Sequence, residues 1–195
     1  MKNLLFPLFL IFSSFLSAQE NEKIVLPIDS TTNLVTYSGV VQIKDRTAKQ
    51  LYSNGKAWFT KAFGSGKATI DFEDNVDFKI IGKGKIHISV NGSFGKQPGG
   101  YVNFTISLFF KDGRYKYIFS SFYHEGEDYQ KSVRVHINSA GPLEIEKQEG
   151  AISQNNWFAW KNNWNFLKEQ TNEEILSLIS SLNQNMTISI NDENF

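Results

Sequence analysis

The densest group of reactive side chains is His124-Glu125-Gly126-Glu127-Asp128, one imidazole and three carboxylates within five residues. In kind, such a set can hold a hard metal ion or act as an acid/base pair. Its spacing matches neither common arrangement. Calcium loops place ligands at alternate positions over about a dozen residues and close on a distal Glu, and zinc proteases carry His-Glu-x-x-His. The expectation is a solvated loop after a strand, with no metal assigned; His124, Glu125, Glu127 and Asp128 are the residues a metal would use. His87 and His136 fall in alternating segments with no Cys, Ser or Asp at a recognisable spacing, and read as ordinary strand side chains.

The other motifs are near misses. Gly64-Ser65-Gly66-Lys67-Ala68 approaches a phosphate loop, but Lys61 stands where the first Gly belongs and Ala68 where Ser or Thr would hold magnesium, so it reads as a helix stop. Ile81-Gly82-Lys83-Gly84 lacks the third glycine and the following helix of a dinucleotide fingerprint. No nucleophile elbow is present, so an enzyme here would depend on carboxylates assembled by folding, with Glu125, Glu127 and Asp128 as candidates. Lys79, Lys83, Lys85 and Lys96, with Tyr101, could form a basic and aromatic patch for an acidic glycan or anionic lipid headgroup. The plainer reading is solvated lysines that guard a sheet edge. Trp157, Trp160 and Trp164 could stack on sugar rings, although two of them keep helical spacing and read as packing.

Composition narrows the field further. A chain of 195 residues, 41% hydrophobic and 14% aromatic, suits one domain. Basic and acidic residues each number 20, so no charge excess draws the chain toward nucleic-acid phosphates, and no nucleic-acid partner is expected. The absence of cysteine excludes disulfides, thiolate nucleophiles and Cys-ligated zinc, so the core holds by packing. No cofactor is expected. Residues 1–19 carry Lys2, an apolar run from Leu4 to Leu16 and the small residues Ser17 and Ala18, the pattern of a secretory signal peptide cleaved near Ala18 or Gln19. The run is too short to span a bilayer as a helix, and no later segment is apolar for long enough. The expected location is periplasmic or extracellular.

These residues depend on a scaffold that the periodicity outlines. Val35, Tyr37, Val41 and Ile43 alternate with polar residues and predict a strand within 34–43. Thr47 and Gln50 form a capping box before an apolar stripe that predicts a helix over 48–63. Strands follow over 68–72 and 79–90, where Gly82 and Gly84 suggest a bend or bulge, and then a loop over 92–100. The segment 101–110 alternates strictly up to the turn Asp112-Gly113. Setting Lys111 against Arg114 places Phe110, Leu108, Ile106 and Phe104 opposite Tyr115, Tyr117, Phe119 and Ser121 on a core surface. The other surface is mixed and pairs Phe109 with Lys116, Ser107 with Ile118, and Asn103 with Phe122. Val133, Val135 and Ile137 suggest a short added strand. A C-terminal helix over 157–185 follows, with a second capping box at Thr171 and Glu174 that could divide it.

The fold class expected is α+β, an antiparallel sheet of about five strands with helices packed on one face, in the order β-α-β-β-β-β-α. The chain divides into a signal peptide (1–19), an N-terminal extension (20–33) and a single domain (34–190) with a less regular insert over 125–156.

Several stretches, in order, carry a family resemblance: Leu26-Pro27-Ile28-Asp29 leading into Tyr37-Ser38, Lys56-Ala57-Trp58-Phe59, Ile80-Ile81-Gly82-Lys83-Gly84, Tyr101 to Ile106, Lys111 to Tyr117, and Ser139 to Glu144. Together they resemble a family of exported bacterial domains of unknown function described as having a TATA-binding-protein-like fold. The resemblance implies the strand and helix order above and implies no catalytic residue.

The function expected is a non-catalytic envelope domain that binds or scaffolds a protein or glycan partner through the mixed sheet face, with Phe109, Lys116, Ile118 and Phe122 as its residues. The alternative is an envelope hydrolase or glycan-processing enzyme built on the carboxylates named above. A small-ligand carrier is a third possibility.

Overall fold

The structure is a computed structural model that describes residues 24–63, 68–92, 95–126, 128–129, 135–136, 141–144 and 160–188. The signal-peptide segment, Glu127 and Trp157 lie outside the described residues. Five long strands, β1 (Tyr37–Gln42), β2 (Ala68–Asp74), β3 (Lys79–Gly92), β4 (Gly95–Lys111) and β5 (Arg114–Glu125), form an antiparallel sheet in the order β1-β5-β4-β3-β2. Two short strands, β6 (Asp128–Tyr129) and β7 (Val135–His136), pair with each other, and β8 (Gly141–Pro142) adds to β5 beyond the end of β1. The helices are α1 (Ala48–Phe63) and α2 (Trp160–Thr187).

Both helices lie on one face of the sheet, the architecture expected of an α+β domain. Gly55 of α1 packs against the Phe110 ring and Phe59 against Gly82, while α2 reaches the same side through Asn183, whose Oδ1 accepts the Tyr115 hydroxyl. The alternation that predicts the strands thus sorts the sheet. Ile80, Ile86, Ile88, Val102, Ile106, Leu108 and Phe119 point under the helices and are buried. A Cβ on Gly82 would sit 2.4 Å from the Phe59 ring, and one on Gly84 would sit 2.3 Å from the Phe104 ring, so both positions are recesses that aromatic rings fill. The expected bulge is at Gly82: the β2–β3 register shifts between Ile70 and Phe72, opposite Gly82 and Ile81, with the extra residue on β2.

The capping box forms as the sequence predicts: Gln50 N–H donates to Thr47 Oγ1 at 3.2 Å and Thr47 N–H to Gln50 Oε1 at 3.0 Å. A further cap is not local. Ala48 N–H donates to Asp112 Oδ1 at 2.7 Å, so the β4–β5 turn also satisfies the helix start. The turn itself needs Gly113, whose φ is +72°.

Two expectations fail nearby. Residues 95–100 are strand and not loop, because β4 begins at Gly95 and carries a bulge opposite Ile88 that is made possible by Gly100 at φ +86°. The helix α2 is unbroken at Thr171: that side chain is buried, and its hydroxyl donates back to Leu167 O at 2.8 Å instead of capping a new helix. Trp160 and Trp164 are both in α2, and Trp164 is buried. Val135 and His136, from the suggested added strand, do pair, with Tyr129 and Asp128 respectively.

Candidate functional site

The hairpin β4–β5 follows its expected register from Lys111–Arg114 through Phe109–Lys116 and Ser107–Ile118 to Thr105–Ser120. It then slips by one residue. Ser121 adopts φ +59°, the pairing shifts, and Asn103 faces Tyr123 instead of Phe122. Because side chains alternate faces, one inserted residue transfers everything beyond it to the other side. Phe122 is therefore not on the mixed face. It is buried at 1% exposure and stacks on Phe104, with ring centroids 5.7 Å apart. Tyr123 takes the outward position and is 46% exposed. The sequence signal for the slip is the spacing of Phe119 and Phe122, three residues apart where alternation requires an even number, together with a serine assigned to a core position opposite Phe104.

Among the described residues no helix covers the face that remains, and its residues fall in rows across the strands. One row runs Asp74, Lys79, Phe109, Lys116, Val40; the next runs Phe72, Ile81, Ser107, Ile118, Ser38. Lys83, Thr105 and Ser120 make a third, and Lys85 lies opposite Asn103. Lys79 Nζ stands 5.6 Å from the Phe72 ring centre and 5.3 Å from that of Phe109, and Lys85 Nζ stands 4.4 Å from that of Tyr101. The His87 ring meets Tyr101 edge-on at 5.1 Å. Three of the patch lysines expected from sequence, Lys79, Lys83 and Lys85, and Tyr101 thus share this face, while Lys96 pairs with Asn91 near the far end of β4. Lys111, Arg114 and Lys116 join them from the hairpin. The carboxylates on this side are engaged. Asp71 pairs with Lys83 at 3.4 Å, Glu125 accepts the Asn103 amide at 2.8 Å, and Asp74 accepts the Val76 and Asp77 N–H groups, with Asp77 the larger of the two influences holding its carboxyl below the usual range.

The model of a domain of unknown function, DUF4468, described as having a TBP-like fold, matches residues 37–125. Over residues 37–125 the chain is similar to DUF4468. Two solved structures share the fold. A TBP-like protein from Parabacteroides distasonis is 14% identical, covers 84% of this chain and 97% of its own, and superposes with a TM-score of 0.61. A DUF4468 family protein from Bacteroides ovatus is 15% identical, covers 80% and 89% respectively, and gives 0.55. No curated protein matches the sequence.

Many residues that carry the resemblance hold the fold together. Within the matched residues 37–125, Trp58 donates its indole N–H to Ser181 at 3.2 Å, Asp112 caps α1, and Gly82 and Gly84 receive rings. Outside it, Glu144 accepts the Val35 N–H at 2.8 Å, and Leu26 and Leu143 are buried.

The carboxylate-rich stretch is not a solvated loop at its start. The strand β5 runs through Glu125, and the slip at Ser121 turns His124 inward to 1% exposure, with Nε2 2.6 Å from Gly99 O. Glu125 points to the opposite face, so alternation keeps these two neighbours from sharing an ion. Asp128 pairs with His136 in the small second sheet. Among the described residues no group of three His, Cys, Asp or Glu side chains is placed to hold a metal. Among them, too, no helix is long and apolar enough to cross a membrane.

Proposed function

We propose that this protein is an exported binding module whose uncovered sheet face, centred on Phe109, Lys116 and Ile118, holds an acidic component of the cell envelope. The observation that carries this reading is charge segregation. A chain with equal numbers of basic and acidic residues places Lys79, Lys83, Lys85, Lys111, Arg114 and Lys116 on one face, against Asp71, Asp74 and Glu125, with Asp29 near enough to Lys116 to feel its charge. Each of those carboxylates is already engaged, Asp71 by Lys83, Glu125 by Asn103, Asp74 by the N–H groups of Val76 and Asp77, and Asp29 by those of Thr31 and Thr32. Such a surface attracts negative charge even when the whole chain is neutral. Large apolar groups lie among the cations, with Val40 58% and Phe72 48% exposed, which gives contact area as well as steering. Export rests on the composition of residues 1–19.

The test is sedimentation of purified protein with washed envelope fragments of its host. The wild type is expected to co-sediment and to be released by salt. Phe109→Glu and Lys116→Glu are expected to stay in the supernatant, while Thr60→Glu on the exposed side of α1 behaves as wild type. Equal retention of all four proteins would overturn the reading.

A further inference from the structure

We infer that the β1 edge of the sheet is where two copies of this chain pair, antiparallel and two-fold about Val40, so that their sheets run on as one; this goes beyond the reading of the uncovered face and does not depend on it. The sheet has two outer strands, and they differ. The β2 edge carries Asp71, Glu73 and Asp74 and a bulge between Ile70 and Phe72, with Asp71 paired to Lys83 at 3.4 Å and Glu73 to Lys56 at 2.8 Å. Charge and a bulge are the ordinary guards against pairing with another chain. The β1 edge, Tyr37–Gln42, has neither. It holds no Lys, Arg, Asp, Glu or Pro, and its register on β5 is unbroken. Among the described residues no strand pairs with its outer side. Val40 is 58% exposed, and Leu34 and Ile28, in the segment leading into the strand, are 41% and 49% exposed.

The phase of the hydrogen bonds fixes the pairing. Ile43 N–H donates to Gly113 O at 2.8 Å, so the odd-numbered residues bond β5, and the N–H and C=O groups of Ser38, Val40 and Gln42 point outward. Setting Val40 against Val40 uses all of these groups: Ser38 of each copy then faces Gln42 of the other, and every such pair exchanges both its bonds. Both ends of this register close. Thr36 N–H is already given to Pro27 O at 2.9 Å, which stops the ladder there, and the opposing strand has left by that point because Asp45, at φ +59°, turns its chain away. The side chains agree with the register. On the uncovered side Val40 meets Val40 and the Ser38 hydroxyl meets the Gln42 amide, with no like charges opposed. On the helix side Gly39 faces the second copy's Val41 beside the Tyr117 ring, whose hydroxyl oxygen lies 2.6 Å from where a Gly39 Cβ would stand. That ring fills the recess at Gly39. An extended peptide draws its specificity from recesses for alternate side chains, and here it meets a filled one; a second copy needs none, because the strand matches itself.

Sedimentation equilibrium of the purified protein over a range of concentrations tests this, with circular dichroism confirming that each variant is folded. The wild type is expected to form reversible dimers. Val40→Pro removes an N–H that β5 does not use, and Val40→Lys sets two ammonium groups opposite each other; each is expected to weaken dimerisation at least about tenfold. Phe72→Lys, on the opposite edge, is expected to dimerise as wild type. A second measurement reads the register. The chain has no cysteine, so an introduced one is the sole thiol of its copy. A short bismaleimide is expected to crosslink Val40→Cys, to leave Ser38→Cys alone uncrosslinked, and to crosslink a mixture of Ser38→Cys and Gln42→Cys. A wild type that stays monomeric at every concentration overturns the inference, as do dimers that survive Val40→Lys at full strength. Crosslinking of Ser38→Cys to itself but not of Val40→Cys overturns the two-fold about Val40. If Val40→Pro does not fold, Val40→Lys and the crosslinks decide the matter. Envelope retention is read separately, so a monomeric wild type leaves the docking face standing.

Discussion

The two faces of the sheet are built from the same strands, residue by residue in alternation, yet they are physically opposite. Under the helices, Phe119 and its neighbours are buried among rings and aliphatic chains, and the polar groups there are tied: Tyr37 donates to Asn172 at 2.9 Å, and Asn54 Nδ2 donates to Ile188 O at 2.9 Å. Burial pushes the Tyr37 phenol up to about 12 and raises that of Tyr115, so both stay protonated donors across the ordinary pH range. On the other side, neighbours such as Ile118, Ser107 and Lys83 meet hydroxyls and ammonium groups instead of a second layer. One face is therefore committed to stability, and the other is available for recognition.

Adjacent residues on β5 give the sharpest way to break this contrast. Phe119→Ala is expected to cost about 3–5 kcal/mol, because the cavity adds to the lost transfer energy, while Ile118→Ala one position away costs under about 1.5 kcal/mol. Urea denaturation at constant m-value measures both, and equal losses would show that the faces are not distinct. Next in size, Gly82→Val drives a side chain into Phe59 and into the Thr69 carbonyl, 2.5 Å from where its Cβ would stand. The expected loss is about 1–3 kcal/mol, and a thermal midpoint unchanged from wild type would contradict the recess.

The smallest effect sits at the rim of the covered face, where Lys56 Nζ donates to Glu73 Oε2 at 2.8 Å. That bond is the main cause holding the Glu73 carboxyl below its ordinary range. The unfolded chain therefore takes up this proton first as the pH falls, so the stabilisation is present at neutral pH and is lost on acidification through the carboxylate range. Glu73→Gln should narrow the stability difference between pH 7 and pH 3, read by denaturation at both values; an unchanged difference would mean that the pair contributes nothing.

The legibility of this fold follows the reach of each interaction. The Thr47–Gln50 box, the Asp112-Gly113 turn and the strand periods all act within a few residues, and the register they set holds as far as Ser120. It fails at Ser121 because a bulge is fixed by what the shifted side chains pack against, here Phe122 on Phe104, and that partner is not adjacent in sequence. The ties to α2 were hidden for the same reason. Asn172, Ser181, Asn183 and Asn185 look like indifferent polar residues of a helix, and their partners Tyr37, Trp58, Tyr115 and Asn54 lie 68 to 135 residues away. The candidate site was half legible. Phe109, Lys116 and Ile118 were placed by the turn, whereas Tyr123 and the burial of His124 needed the bulge.

The hydrogen bond from Ala48 to Asp112 spans 64 residues, and so the first helix borrows part of its beginning from a hairpin made much later. During synthesis that helix emerges, with its local Thr47–Gln50 cap, well before the aspartate that satisfies Ala48 N–H. Assembly of the two layers is thereby synchronised: the roof is pinned only when the floor beneath it already exists.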